Sequence, residues 1–589
     1  MELRQKEMSY VIAVRASLIL GIAGLIASVS FCFINADVLI GVFARLALAI
    51  GNTQRLLSAD PGRLCTEIAA VLSRIKIALP VLSLLLILWA SALRFFITKS
   101  IKGNYIQPAQ STDYPSFPYI YIFLIILAAL ILRIININQS LWYDEIYSVL
   151  NYIDRGSFLS IITTYKYFNN HIFYSILART SMLVFGREEW AFRLPSLLFG
   201  IAGIWAIAKL AGLTFKKNIM WLSAVLLAFS SAHIDQSMQA RGYTALVFSS
   251  IMSCYYFLRL LREQKSSLWL GFYIVSVLGL YTHLYMVMVI LSQVAVVMSG
   301  VFLFKEKDKP LIGYDAAAKL LMHYTFIGVV VFLLYLPVLP FIVFELFRHH
   351  ATKIINLDFI WSVFKYLGSG LEGLDFGILY FIMFILGLTF LWKENRKYIV
   401  ILTVSLFLVS FGINYVLGPR YLYPRFFIFA LPVYLIAAAS GIYSLCINSK
   451  GAVSIILITL SAVILISLSL PSIKTVLYLP RQDYKRAALF IKKTIKPGKE
   501  TIIIAPGIAG REIRYYLRDY NVVKTDSLED IKRINSVYNN VMFFITYGWT
   551  VPRRIMQFVK KKYTFSIPFR SRIAVGIYTR MPYVTNNVY

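Results

Sequence analysis

The sequence is poor in acids, histidines and cysteines. Its 589 residues include 28 Asp and Glu, 6 His and 4 Cys. Cys32, Cys254 and Cys446 lie in apolar runs and Cys65 in a predicted loop, so neither a disulfide framework nor a CxxC metal site is indicated. No Walker A motif is present, and no GxGxxG follows a predicted strand. The sequence therefore gives no sign of a soluble nucleotide-binding domain.

Long apolar runs are abundant instead. Hydrophobic residues make up 59% of the chain, and the mean hydropathy is +0.70. Runs of about 20 apolar residues have the length that crosses a hydrocarbon core about 30 Å thick. The composition therefore predicts a polytopic α-helical membrane protein. The first run, residues 11–34, is long for a cleavable signal and is interpreted as a retained anchor.

The charge balance predicts the topology. The net charge is +31, which in a soluble chain would suggest nucleic acid. Here we interpret it as basic cytoplasmic loops and an affinity for anionic lipid or a phosphorylated substrate, with no nucleic-acid partner. By the positive-inside rule, the short basic loops at 99–102, 215–217, 259–265, 305–309 and 393–397 are predicted to be cytoplasmic.

This topology predicts about 13 transmembrane helices, with the N-terminus inside and the C-terminus outside. Residues 1–116 form a two-span extension and linker, and residues 117–471 form the main membrane domain with an outer loop at 138–190. In that loop the apolar stretch 171–186 is short for a span, so we expect a helix at the outer face. The predicted spans are 11–34, 77–97, 117–137, 192–213, 219–236, 242–260, 268–284, 286–304, 320–345, 374–392, 398–417, 426–446 and 452–471.

The C-terminal segment, residues 472–589, differs in composition. It holds 22 Lys and Arg against 7 Asp and Glu, and no apolar run long enough to span a membrane. Helical and strand patterns alternate along it, which predicts a small extracytoplasmic α/β domain. The basic residues are interpreted as a surface that docks on anionic lipid headgroups, as one that binds an acidic acceptor, or as a solvated surface with no partner. The predicted helices are 481–495 and 510–520, and the predicted strands are 500–506, 540–548 and 573–580.

Polar residues from separate stretches are predicted to meet at the outer membrane boundary. Arg241 begins an apolar span, and a cation at the centre of a bilayer costs roughly 2.5–3.5 kcal/mol, so it needs a partner or reaches the headgroups. Each residue also has a structural interpretation, as a solvated loop acid, an exposed helix end or part of an aromatic belt. The set comprises Asp144, Glu145, His171, Arg241, His283, Arg420 and Arg425, with Tyr143 and Tyr243 beside them.

Four stretches in this order resemble the GT-C type membrane glycosyltransferases. They are LWYDEIYS (141–148), HIFYSILARTSMLVFGREEWAFRLPSLLFG (171–200), SMQARGYTAL (237–246) and LYTHLYMV (280–287). Specifically, the chain is similar to the family 39 enzymes, which are related to protein O-mannosyltransferases and lipid A aminoarabinose transferases. A weaker similarity continues through residues 419–432 and the C-terminal segment.

The resemblance implies transfer of a sugar from a polyprenyl-phosphate donor to a lipid, glycan or protein acceptor at the outer face of a bacterial or archaeal cytoplasmic membrane. It implies that Asp144, with Glu145 beside it, is the general base, and that His171 and Arg241 lie near the donor phosphate. The chain departs from the family where Ile172 and Phe173 replace the usual prolines. Gln239 stands where a glutamate is common.

The chemistry is consistent with this set. A lipid phosphate leaves as a stable anion, so no acid is needed to protonate it, whereas glycosidases need a second carboxylate. One carboxylate, Asp144, with Arg241, Arg420 or Arg425 around the phosphate, is therefore a sufficient set. Direct displacement by the acceptor inverts the anomeric carbon. No ligand spacing compels a metal cofactor, although an acidic pair near a histidine can hold Mg²⁺ or Mn²⁺. The alternatives are a transporter or flippase, which also uses intramembrane charges, and another membrane enzyme of lipid-linked glycans, such as a ligase or polymerase.

Overall fold

The computed structural model describes most of the chain. Apart from Ile19 and Ile22, the predicted span 11–34 lies outside the described residues. The described residues are 19, 22, 80, 83–99, 119–165, 168–213, 217–306, 309–348, 355–370, 377–418, 422–447, 452–498, 500–508 and 510–579.

Helices dominate the described chain. Short 3₁₀ or π segments join some of them, at Val149–Ile153, Leu336–Val338 and Pro424–Ala430. The helices before the C-terminal segment are 83–99, Tyr119–Ile134, Tyr143–Ser148, Phe158–Thr163, Ile172–Phe185, Glu189–Gly212, Lys217–Ala228, Ser231–Ser237, Tyr243–Leu260, Ser266–Thr282, Met286–Phe302, Tyr314–Tyr335, Leu339–Arg348, Leu357–Ser369, Gly377–Lys393, Lys397–Leu417, Leu431–Cys446 and Ala452–Tyr478. Two short strands, β1 (Lys305–Glu306) and β2 (Lys309–Pro310), pair antiparallel.

The apolar helices make the chain an integral membrane protein. Among the described residues, five helices have the length and composition to cross a membrane, and several shorter apolar helices coincide with other predicted spans. The total of about 13 spans stays a prediction. The five long helices are Glu189–Gly212, Tyr314–Val343, Lys397–Leu417, Pro424–Cys446 and Val453–Tyr478.

The predicted span 219–236 is wrong as a single helix. One helix ends at Ala228 and the next begins at Ser231. Arg133 Nη1 donates to the Ala228 carbonyl (3.0 Å), and its Nε donates to Ser237 Oγ (3.2 Å). Because Arg133 is fully buried, these hydrogen bonds compensate for its lost hydration. The break produces the short helix Ser231–Ser237, which carries Asp235.

The C-terminal segment folds around a five-stranded mixed sheet. The strands are β3 (Thr501–Ile504), β4 (Val522–Val523), β5 (Asn540–Thr546), β6 (Thr564–Phe569) and β7 (Val575–Thr579), and the helices are Tyr484–Thr494, Leu528–Val537 and Arg553–Lys562. The strand order is β4-β3-β5-β7-β6; β4, β3 and β5 run parallel, and β7 runs antiparallel to both of its neighbours, β5 and β6. The predicted strands 500–506, 540–548 and 573–580 coincide with β3, β5 and β7.

The period-2 alternation of the strands gives each sheet face its own core. On one face Ile503 and Phe544 belong to a buried cluster that also contains Ile146 of the outer loop. On the other face Ile502 packs in a cluster with Ile555, from the helix Arg553–Lys562. One face of the sheet domain therefore shares a hydrophobic core with the outer loop.

Hydrogen bonds extend this contact. The Leu141 amide donates to the Tyr516 hydroxyl (2.9 Å), and the Lys485 amide donates to Ser140 Oγ (3.1 Å). The Lys485 ammonium also lies 3.0 Å from Glu189 Oε1. The sheet domain is therefore held against the segment that leads directly into the predicted acids.

Candidate active site

The helix Tyr143–Ser148 carries both predicted acids in its first turn, where the helix dipole favours negative charge. Glu145 Oε2 accepts a hydrogen bond from the Trp142 amide at 3.1 Å, which satisfies one of the free N–H groups at the helix start. Local sequence therefore starts the helix here and separates the two carboxylates onto different sides of it.

Glu145 is completely buried. Its Oε1 and Oε2 accept hydrogen bonds from Nε and Nη2 of Arg193, both at 2.8 Å, in a bidentate ion pair. The Ala240 amide donates to Oε1 as well, at 2.5 Å. Together with the Trp142 amide, these groups fully occupy the carboxylate. The geometry fits a residue that joins the helix Tyr143–Ser148 to the helix Glu189–Gly212 and to the turn at Ala240.

Asp144 has a different environment. Its side chain is 17% exposed, and Oδ2 lies 3.1 Å from Nη2 of Arg425, whose side chain is 13% exposed. The Arg425 guanidinium also lies 4.6 Å from the centroid of the Tyr423 ring and 5.2 Å from that of Trp142. Asp144 therefore keeps a route to solvent, beside a cation held by aromatic rings.

Arg241 is buried next to the same helix. Its Nη1 donates to Ser148 Oγ (2.8 Å) and to both the backbone and the side-chain oxygen of Asn169. Ser148 Oγ in turn donates to the Asp144 carbonyl at 2.8 Å. Within the described chain, Arg241 Nε is buried without a hydrogen-bond partner. One hydroxyl thus connects the buried cation to the turn that bears Asp144.

His171 packs among rings at the start of the helix Ile172–Phe185. Its ring centroid lies 4.7 Å from that of His283 and 5.4 Å from that of Tyr243. Burial, followed by the charge of Arg241, holds the pKa of His171 well below its usual value. Nε2 has no hydrogen-bond partner among the described residues, so Nδ1 makes the bond to the Thr282 backbone. The ring is therefore neutral at physiological pH, with Nε2 as an acceptor.

The remaining predicted residues fall in two groups. Tyr243 and His283 join His171 in the ring cluster, with 5.2 Å between their own centroids. Tyr143 lies nearer the sheet domain, where its amide donates to Gln482 Oε1 (3.0 Å). Burial and the nearby Glu512 raise the pKa of Tyr143 well above its usual value. Arg420 lies outside the described residues.

Some residues at this site were not predicted from the sequence. Arg193 is the partner of Glu145, and its only sequence signal is a charge within the GREEWAFRLPS stretch. Arg481 and Arg572 of the C-terminal segment both approach the buried Asp235 of the membrane domain. Arg481 also lies 4.0 Å from the centroid of the Trp142 ring. The C-terminal segment thus contributes charged side chains beside the predicted acids.

A divalent cation near the acids is a further prediction from the sequence. Among the residues that the structure describes, no group of three or more His, Cys, Asp or Glu could hold a metal ion. Asp144 and Glu145 are both paired with arginines. Because Mg²⁺ is often held by one or two carboxylates together with a substrate phosphate, the divalent cation stays a prediction.

Comparisons with family models and with solved structures both give matches. Residues 171–341 match a family model described as dolichyl-phosphate-mannose-protein mannosyltransferase. The crystal structure of ArnT from Cupriavidus metallidurans in the apo state is similar in fold, with a TM-score of 0.50 and 11% identity, over 79% of this chain and 97% of that chain. The resemblance to the GT-C type membrane glycosyltransferases is confirmed. The segment that matches the family model begins at His171 and includes Arg241, whereas Asp144 precedes it.

Other solved structures are similar to this chain over comparable lengths. ArnT from Cupriavidus metallidurans bound to undecaprenyl phosphate has a TM-score of 0.46 at 12% identity, over 79% of this chain and 98% of that chain. AglB from Archaeoglobus fulgidus, an archaeal oligosaccharyltransferase in complex with an inhibitory peptide and a dolichol-phosphate, has a TM-score of 0.44 at 11% identity, over 79% and 74% of the respective chains. No curated protein sequence matches the chain.

Proposed function

We propose that this glycosyltransferase moves a sugar from a polyprenyl-phosphate donor to a hydroxyl group of a lipid, glycan or protein acceptor, at the outer face of a bacterial or archaeal cytoplasmic membrane. The observation that carries the proposal is a partly exposed carboxylate, Asp144, which is paired with Arg425 and lies on a short helix whose Ser148 hydroxyl accepts a hydrogen bond from the buried cation Arg241. The family description, which names a dolichyl-phosphate-linked mannose, supports the donor class.

Asp144 is the proposed general base. Arg425 donates to Oδ2, which leaves Oδ1 to accept the proton of the acceptor hydroxyl. The hydroxyl oxygen then forms a bond to the anomeric carbon while the bond from that carbon to the phosphate oxygen breaks. Attack and departure take place on opposite faces of the sugar ring, so the product has inverted configuration.

Arg241 and Arg425 are the proposed cations for the phosphate that leaves. Both are largely buried, and each has an Nε without a hydrogen-bond partner in the described part of the chain. A guanidinium can bind phosphate oxygens with two parallel hydrogen bonds, and in a desolvated site this interaction is stronger than in water. Arg420, also predicted to bind the phosphate, stays a prediction.

The other predicted residues take supporting roles in this proposal. Glu145, paired with Arg193, positions the helix that carries Asp144. His171 is neutral and adds no charge, so we assign its Nε2 to a hydroxyl of the bound sugar. Tyr143, Tyr243 and His283 line the site. No step is derived through a metal ion.

The test is sugar transfer by purified protein in lipid, with a panel of radiolabelled polyprenyl-phosphate sugars and membrane extract as acceptor. Wild type is compared with Asp144→Asn. The matched control is Asp154→Asn, because Asp154 is also an outer-loop acid paired with an arginine, Arg187, at 2.8 Å. We expect Asp144→Asn to lower the rate by about 10²–10⁴-fold and Asp154→Asn to leave it unchanged.

The outcomes separate the alternatives. Full activity of Asp144→Asn would remove the general-base assignment. A product that keeps the anomeric configuration of the donor would contradict direct displacement. Uptake of solute or movement of lipid, with no transfer from any donor, would favour the transporter or flippase.

A further inference from the structure

Asp235 and two arginines form a buried ionic cluster between the membrane domain and the sheet domain. Arg572 Nη2 donates to Asp235 Oδ1 at 2.6 Å, and Arg481 Nη1 lies 3.9 Å from Oδ2. The exposed side-chain fractions are 2% for Asp235, 8% for Arg572 and 12% for Arg481. With Trp142, these residues line a small pocket. The pocket lies next to the predicted acids, because Trp142 immediately precedes Tyr143 and Asp144.

The two arginines have more hydrogen-bond donors than the described residues satisfy. Nη1 of Arg481 and both Nε and Nη1 of Arg572 are buried without a partner, and so is the indole N–H of Trp142. A buried donor left unpaired costs free energy, and the cost is larger for a charged group. Donors of this kind, on two separate elements and around one pocket, indicate a missing acceptor.

The charge count leads to the same conclusion. Arg425, Arg481 and Arg572 bring three positive charges, against two negative charges from Asp144 and Asp235, so one positive charge is in excess. Burial, followed by repulsion from Arg425, lowers the pKa of Arg481 to about 10. At neutral pH Arg481 is still protonated, so the excess charge is not removed by loss of a proton.

We propose that Arg481 and Arg572 form an anion-binding site for a phosphate group of one of the two substrates, at the junction of the C-terminal and membrane domains. The phosphate belongs either to the donor lipid or to the acceptor. The proposal rests on the proposed function only for this substrate assignment, because anion binding is measured without transfer.

Domain docking alone does not account for the cluster. Arg572 already neutralises Asp235 with a direct hydrogen bond, and Lys485 holds the same interface through Glu189. Arg481 is too far from Asp235 for a hydrogen bond, yet it is kept beside two other arginines. An arginine in a purely structural role would be expected to make its hydrogen bonds within the protein.

The experiment measures binding to the purified full chain in lipid nanodiscs. Inorganic phosphate is titrated by calorimetry, first alone and then with undecaprenyl phosphate at saturation, and undecaprenyl phosphate is titrated separately. The variant is Arg481→Gln. The matched control is Lys485→Gln, which removes the same charge from the same domain interface but lies outside the pocket. Thermal unfolding checks that each variant is folded, and Arg481→Lys is used if Arg481→Gln is not.

Two results would support the proposal. If the phosphate belongs to the acceptor, inorganic phosphate still binds beside saturating undecaprenyl phosphate, and Arg481→Gln weakens that binding about tenfold or more. If it belongs to the donor, undecaprenyl phosphate displaces inorganic phosphate, and Arg481→Gln weakens undecaprenyl phosphate binding to a similar degree. Unchanged affinities for both ligands in Arg481→Gln would overturn the proposal. If the wild type binds the anion but transfers no sugar from any donor, that result would count against the proposed function and not against the anion site.

Discussion

The surroundings of Glu145 and Asp144 differ sharply, although the two residues are adjacent in the chain. Glu145 is fully buried and accepts hydrogen bonds from Arg193 and two backbone amides. Asp144 is 17% exposed and contacts one arginine that retains a free donor. A carboxylate saturated by fixed donors can hold a structure together, whereas a carboxylate with an open oxygen can receive a proton. We therefore expect Glu145 to contribute to stability and Asp144 to contribute to the proposed chemistry.

The largest effect is expected from exchanging the two acids for their amides. Glu145→Gln leaves Arg193 buried without its counterion, which should lower the free energy of unfolding by about 3–5 kcal/mol. Asp144→Asn removes the carboxylate from a partly exposed ion pair with Arg425, so its free energy of unfolding should fall by less, about 1–3 kcal/mol. The measurement is unfolding of each variant in nanodiscs.

The same two variants should rank oppositely in activity per folded molecule. Asp144→Asn should be nearly inactive, and the folded fraction of Glu145→Gln should keep most of its transfer activity. If Glu145→Gln were stable but inactive, the division of roles between the two acids would be reversed.

A smaller effect is expected at Arg241. Arg241→Gln removes a buried guanidinium from the proposed phosphate site, which should weaken undecaprenyl phosphate binding about 10–100-fold, as loss of charged hydrogen bonds does. Arg187→Gln is the control, because Arg187 is an exposed outer-loop arginine whose partner is Asp154. Equal binding by both variants would exclude Arg241 from the phosphate site.

The smallest effect concerns pH. The folded pKa of His171 lies well below the unfolded value of about 6.5, so the unfolded chain binds more protons between these two values. The stability associated with neutral His171 is complete above pH about 6.5 and is lost as the pH falls from there toward the folded pKa. Between pH about 7.5 and 5 we expect wild type to lose up to about 2 kcal/mol more than His171→Asn.

Undecaprenyl phosphate affinity adds a second readout for this residue. Because the ring stays neutral, His171 should not affect how that affinity depends on pH between about 6 and 8. A change in affinity with a midpoint near pH about 6.5 that disappears in His171→Asn would contradict a neutral ring.

Hydropathy predicted the apolar helices well, since a span is a local property of about 20 residues. The prediction 242–260 corresponds to the helix Tyr243–Leu260. It failed at 219–236 because the break after Ala228 contains neither proline nor glycine. Ser230 caps the next helix, and the freed Ala228 carbonyl accepts a hydrogen bond from Arg133, which is 95 residues away in the chain. A partner at that separation leaves no trace in a window of local sequence.

The candidate site was likewise predictable only as far as local sequence carries the signal. Family motifs and charges near apolar runs pointed to Asp144, His171 and Arg241, all of which lie close to one another in the structure. They did not distinguish Asp144 from Glu145, because the difference depends on Arg193, 48 residues away. From the sequence, Arg481 and Arg572 could not be distinguished from the other basic residues of the C-terminal segment. Only the folded chain brings them to Asp235.

The contact between Asp235 and Arg572 also limits the modularity of the chain. A carboxylate from the membrane domain and a guanidinium from the sheet domain form this ion pair, so neither half contains both partners. A chimaera that receives a foreign C-terminal domain would inherit Asp235 without its counterpart. We therefore expect recombined chains to be stable only when both partners are present across the junction.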